Sequence, residues 1–296
     1  MRTRTIAALV ILAAVATGAA EGMSSRYFTF DNLNSFFSAL VAEENIGIKR
    51  GVMYGDNARH RLDVYRPRGG KGRAVILFLY GGGWTGGKRS TYGFAGAALA
   101  SQGFTVVIPD YRLYPEARFP DFVEDAARAY VWAVRNEGKG KPVFVMGHSA
   151  GAHMAALIAL DDRYISEWGN DLPRPAGLIG LAGPYAFDPT TWPTTREIFA
   201  TAKTADEARP AAHVDGKAPP ALLFHGLKDE TVRLWNMQTL AKAYEAAGRK
   251  VEAREVPGTS HIGILLAMAR PFRWRHDVLE RVVRFVGVSS GESTGQ

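Results

Sequence analysis

The chain has 296 residues, 47% hydrophobic and 22% charged, an ordinary globular composition with length for one large core or two modest ones. It contains no cysteine, which excludes disulfides, thiolate metal sites and thiol catalysis but leaves the compartment open. The formal charge is +7, yet its densest basic stretch, "RPFRWRHDVLERVVRF", is interrupted by acids and accompanied by no RNA or DNA motif, so it reads as a solvated helix face and no nucleic-acid partner is expected.

In chain order, "MRTRTIAALVILAAVATGAAEG" has two arginines, an apolar run of about a dozen residues and small residues at Gly18 and Ala20. This is a secretory signal pattern over residues 1–20, too short for a comfortable membrane span, so a secreted or periplasmic protein without stable membrane insertion is expected. Translation starting at Met23 would instead leave the protein cytoplasmic. "DNLNSFFSALVAEEN" (31–45) follows as an amphipathic helix capped by Asp31 or Asn32, either a flap or plain packing. From "NARHRLDVYRP" onward, buried-type strands alternate with helical patterns. The strands are "AVILFLY", "TVVIPDY", "VFVMGH", "GLIGLAG" and "ALLFHG"; the helices are "STYGFAGAALASQG", "DFVEDAARAYVWAVRN", "AGAHMAALIAL" and "VRLWNMQTLAKAYEAAG". The alternation predicts one α/β domain over 21–288, a mostly parallel central sheet with helices on both faces and ligands at the carboxyl ends of the strands. A small cap insertion (184–218) interrupts it, and "SSGESTGQ" (289–296) is expected as a disordered tail.

Within "VFVMGHSAGAHMAAL", Ser149 stands between two glycines where a strand pattern becomes a helix pattern. Gly-x-Ser-x-Gly alone arises by chance in about one such chain in seven, so its surroundings must decide. A sharp strand-to-helix turn forces strained backbone, leaves the hydroxyl exposed above the sheet, and needs flanking residues without Cβ. The alternative is a serine that only caps the helix.

A serine nucleophile needs a base, and the base an acid that holds it in one tautomer. Of seven histidines, His60 precedes the first clear strand, His148 and His153 lie too near Ser149 in sequence to turn back, His225 is inside a strand end, and His276 starts a C-terminal helix. His261 remains, just beyond the last strand in "VEAREVPGTSHIGILL", with His213 of the irregular insertion as the outsider. Asp229, in the loop of "ALLFHGLKDETV", is the matching acid; Glu230 is its local rival, and capping a helix near Thr231 its structural alternative. "YGGGWTGGK" supplies unobstructed backbone N–H groups, so Gly82 and Gly83, with Ala150 beside the nucleophile, are the expected oxyanion donors. The run lacks the Gly-Lys-Ser/Thr ending of a nucleotide loop and opens no dinucleotide fingerprint.

The order Ser149, Asp229, His261 with "YGGGW" upstream resembles the α/β-hydrolase superfamily, in particular the branch of hormone-sensitive-lipase-like carboxylesterases and arylformamidases. "DYRLYPEARFPDFVEDAARAYVWA" and "GHSAGAH" extend the resemblance over roughly residues 61–285. It implies an α/β-hydrolase fold, and it implies that Asp110 and Asp125 brace loops around the site. In similar proteins the glycine motif usually begins with His; here it begins with Tyr80, which removes a supporting hydrogen bond from the expectation but not the backbone donors. The function expected is that of a serine carboxylesterase using no cofactor and no metal, acting on a small ester of a short acyl group. Trp84, His148, Tyr185, Phe187 and Trp192 are candidate pocket residues. Hydrolysis of N-formyl aromatic substrates, as in arylformamidases, is the alternative, and a non-enzymatic binding protein on the same scaffold a further one.

Overall fold

In the computed structural model, which describes residues 46–70, 72–169 and 171–290, the apolar runs join one sheet. Its strands are β1 (Ile46–Met53), β2 (Arg61–Pro67), β3 (Val75–Leu79), β4 (Thr105–Pro109), β5 (Val143–His148), β6 (Leu178–Leu181), β7 (Ala221–Gly226) and β8 (Val251–Val256), in the order β1-β2-β4-β3-β5-β6-β7-β8. β1 and β2 are antiparallel, as are β2 and β4; β3 to β8 run parallel. Every residue of β3, β4, β5, β6 and β7 is buried, which is why these segments read as unbroken apolar runs rather than alternating ones. The leader (1–20) and the flap helix (31–45) lie outside the described residues.

The helices are α1 (Gly93–Ala100), α2 (Asp121–Ala133), α3 (Ala150–Leu160), α4 (Arg163–Ser166), α5 (Trp235–Ala246), α6 (His261–Leu266) and α7 (Val278–Ser289). The crossover from β3 to β4 runs toward the β1 edge, whereas those from β4 onward run toward the β8 edge. Right-handed crossovers therefore put α1 on one face and α2, α3 and α5 on the other. α7 returns to the face of α1 and touches it. All eleven residues of α3 are buried between the sheet and α2, so this helix is fixed in the core. The reversal also places the loops after β3 and β5 side by side, at the position where open α/β sheets hold their ligands.

Four boundaries differ from the sequence reading. β1 was not anticipated: it is a largely exposed edge strand whose register shifts between Lys49 and Val52, which breaks the alternation. α2 ends at Ala133 and a π-type turn, Val134–Gly138, completes the expected helix. α7 starts at Val278, two residues after His276, and includes Ser289, where the tail was expected to begin; residues 291–296 lie outside the described residues. α5 starts at Trp235 rather than near Thr231, for a reason given by Asp229 below.

Candidate active site

Ser149 joins β5 to α3 with φ 55° and ψ −126°, a conformation that costs an L-residue about 1–3 kcal/mol unless its surroundings impose it. They do so through the main chain: Ser149 N donates to Leu181 O (2.9 Å), and Ser149 O accepts from Ala152 N (2.9 Å) and His153 N (3.1 Å). The flanking glycines are required by close approach. A Cβ on Gly147 would fall 2.3 Å from Gly151 O, and one on Gly151 would fall 2.1 Å from Leu79 O. The serine side chain makes no capping bond to α3, so the helix-cap alternative is overturned.

Its hydroxyl instead lies 2.9 Å from His261 Nε2, and His261 Nδ1 lies 2.8 Å from Asp229 Oδ2. A carboxylate can only accept, so Nδ1 carries the proton and the Nε2 lone pair faces the serine. His261 is the first residue of α6, whose N-cap Ser260 accepts from Gly263 N (3.2 Å). The β7 and β8 loops are joined by Lys228 N donating to Thr259 O (2.9 Å).

Asp229 divides its two oxygens. Oδ1 accepts from Thr231 N and Val232 N (both 2.9 Å), holding a tight turn that delays the start of α5, while Oδ2 orients the imidazole. The carboxylate thus makes both the turn-holding contacts and the contact to His261. Burial pushes the Asp229 carboxyl up, but the hydrogen bonds from His261 and from the Val232 amide outweigh it and hold the group below the usual carboxylate range, hence ionised. Glu230 is exposed. His213, the outsider, sits beside Asp161 and Glu207 in the insertion.

The glycine loop touches Ser149: a Cβ on Gly81 would lie 2.9 Å from Ser149 Cβ. Gly81 N is used by Tyr92 Oη (3.1 Å), whereas among the described residues the amides of Gly82 and Gly83 donate to no protein acceptor. Ala150 N is the first amide of α3, a position with no acceptor inside the helix. Gly82 carries φ 138° and Gly83 φ 60°. A Cβ on Gly82 would strike Gly86 O at 2.2 Å, while one on Gly83 would meet nothing nearer than Thr85 Oγ1 at 3.8 Å.

Tyr80 is buried, stacked on Tyr111 (4.5 Å between centroids) and Tyr92 (5.6 Å). Its carbonyl accepts from Tyr111 Oη (2.7 Å), and its hydroxyl accepts from Arg59 Nη2 (2.8 Å), a guanidinium that also donates to Gly87 O and Tyr111 O. Arg59, Tyr92 and Tyr111 thus brace the glycine loop; none was picked out in the sequence, where only the changed first residue of the motif hinted at a different support. Asp110 accepts from the Arg89 amide (2.6 Å) and its guanidinium. Asp125, fully buried, binds Arg112 through its amide and guanidinium and lies 2.9 Å from His60 Nε2.

The expected pocket residues have different surroundings. His148 is buried, with Nε2 on His261 O (2.9 Å), and Tyr185 is packed under Gly180 and Gly183; these two are corrected from lining to core. Trp84, at φ 59° and 4% exposed, packs edge-on to Phe199 (4.9 Å) and His153 (5.2 Å). Phe187 is half-buried, its amide donating to Asn236 Oδ1 (3.1 Å), and Trp192 is 59% exposed on the insertion.

With that geometry in place, a profile of the alpha/beta hydrolase fold matches residues 76–265. The chain belongs to the alpha/beta-hydrolase family. It is 32% identical over 248 residues to Esterase LipC of Mycobacterium tuberculosis and 30% identical over 245 residues to the isoprenylcysteine alpha-carbonyl methylesterase of Arabidopsis thaliana. The aligned parts are 75% and 74% of this chain but 61% and 57% of those relatives, so the match spans somewhat over half of their length. A hormone-sensitive lipase from a metagenome library shares the fold at a TM-score of 0.69 and 24% identity, covering 91% of this chain and 94% of that one. Both sequence relatives are esterases by name, the branch that the motifs led one to expect.

Proposed function

We propose that the protein is a serine carboxylesterase that cleaves esters of short acyl groups through an acyl-enzyme. The observation that carries this reading is the unbroken chain of contacts from Asp229 Oδ2 to His261 to Ser149 Oγ, at 2.8 and 2.9 Å. Ser149 Oγ attacks the ester carbonyl carbon as His261 Nε2 takes its proton, and negative charge develops on the carbonyl oxygen beside the amides of Gly82, Gly83 and Ala150. The C–O bond to the alcohol then breaks and Nε2 returns the proton to the leaving oxygen. Water, deprotonated by the same nitrogen, attacks the acyl-serine and releases the acid. The esterase names of the relatives support the reaction class.

The short-acyl assignment rests on the insertion. Pro184 to Val214 form turns and two short 3-10 segments, Asp206–Ala208 and Pro210–His213, rather than paired helices around a tunnel. Phe199 from this insertion fills the space against Trp84 and His153. Each buried methylene is worth about 0.8 kcal/mol, roughly fourfold in kcat/KM, and that gain is expected to stop within a few carbons. In a series of p-nitrophenyl esters from two to twelve acyl carbons, kcat/KM is expected to peak between acetyl and butyryl. A maximum at eight carbons or longer would refute the short pocket, and faster turnover of N-formylkynurenine than of every ester would hand the function to formamide hydrolysis.

Gly83→Ala tests the oxyanion donors. The added methyl has room, but φ 60° is disfavoured for alanine by about 1–2 kcal/mol, so the peptide turns rather than the loop unfolding. Loss of one such donor is expected to lower kcat by about a hundredfold or more with little change in KM. A fully active variant would place the donors elsewhere in the glycine run.

A further inference from the structure

The residue between Gly147 and Ser149 has no part in the chemistry above, yet its side chain lies among the reacting groups. His148 Nε2 is 2.9 Å from His261 O, and because a carbonyl only accepts, Nε2 carries the proton and donates. The other nitrogen, Nδ1, is then a bare acceptor, and it is buried with no hydrogen-bond partner. An unmet buried acceptor is destabilising. The imidazole is wedged between the glycine loop and the base: a Cβ on Gly81 would fall 2.9 Å from Nδ1, and the His148 and His261 ring centroids are 4.8 Å apart.

We propose that His148 is a positioning residue, whose N–H ties the main chain of His261 to the segment that carries the nucleophile. The inference rests on the reading of His261 as the general base. His261 opens a short helix at the end of a loop, and its imidazole must meet Ser149 and Asp229 at once. Fixing its carbonyl from the residue next to Ser149 ties the relative placement of base and nucleophile to one covalent segment, a placement in which an error of about 1 Å can cost a hundredfold in rate. Burial, then the nearby charge of His261, lowers the His148 pKa to about 3, so it stays neutral when His261 becomes protonated during turnover. It holds the base without competing for the proton.

The test compares His148→Phe, His148→Gln and Ser149→Ala on one soluble p-nitrophenyl ester, with thermal midpoints measured alongside. Phenylalanine fills the volume without a donor and is expected to lower kcat about ten- to a hundredfold while KM stays within about threefold. Glutamine, whose Nε2–H can reach the same carbonyl, is expected to recover kcat to within about threefold of wild type. Should the phenylalanine variant not fold, His148→Asn serves instead, since its amide is too short to reach and it should lose as much. Wild-type kcat in the phenylalanine or asparagine variant, or a glutamine variant as slow as phenylalanine, would overturn the positioning role. Activity surviving in Ser149→Ala would overturn the underlying triad instead, so the two failures are distinguishable.

Discussion

Ser149→Ala is expected to abolish ester hydrolysis, a loss on the order of a millionfold in kcat, because nucleophile and base act as a unit. The fold should survive, since what holds residue 149 in its strained turn is main-chain bonding to Leu181, Ala152 and His153, and alanine keeps the Cβ that glycine would lack. Only the hydroxyl leaves, and with it the proton that His261 Nε2 is placed to take at 2.9 Å. The checks are kcat on p-nitrophenyl butyrate, the thermal midpoint, and labelling by a fluorophosphonate followed by peptide mapping. Labelling should fall on the peptide containing Ser149 in the wild type and vanish in the variant. Hydrolysis above a few per cent of wild type in a folded variant would sink the assignment.

The inner strands were legible because burial on both faces removes the need for polar residues, leaving runs such as "VILFL" and "TVVIP" bounded by turn residues. β1 was not, because an exposed edge strand with a register shift keeps charge, glycine and no strict alternation. Ser149, Asp229 and His261 were each singled out by following a strand end, and the parallel topology does bring those ends together. His148 and Tyr185, expected to line a pocket, are buried instead. Trp84 lies in a turn with positive φ and Tyr185 follows β6, where the direction of a side chain follows no helix or strand period, while His148 ends β5, whose residues are all buried. The support of the glycine loop was equally hidden, since Arg59 reaches Tyr80 across 21 residues of sequence and a tyrosine cluster replaces the usual histidine.

Asp229→Asn is expected to cost about 10⁴-fold in kcat with the fold retained, and the division of labour between the carboxylate oxygens makes this a clean test. An asparagine Oδ1 can still accept from Thr231 N and Val232 N, so the turn before α5 persists. The other position becomes an NH₂, which donates to His261 Nδ1 instead of accepting from it. The imidazole then carries its proton on Nε2, facing Ser149, and can no longer act as the base. His225 does not rescue it: it lies 3.5 Å from Asp229 Oδ2, but its Nε2 donates to Val232 O (2.9 Å) and burial keeps it neutral. His261→Ala should lose at least a thousandfold by removing the base outright. Glu230→Gln, at an exposed side chain, should change kcat by less than about twofold. Measured side by side on one ester, a slow Glu230→Gln and a fast Asp229→Asn would reverse the assignment of the acid. The expected order instead ties the rate to the single oxygen 2.8 Å from His261 Nδ1.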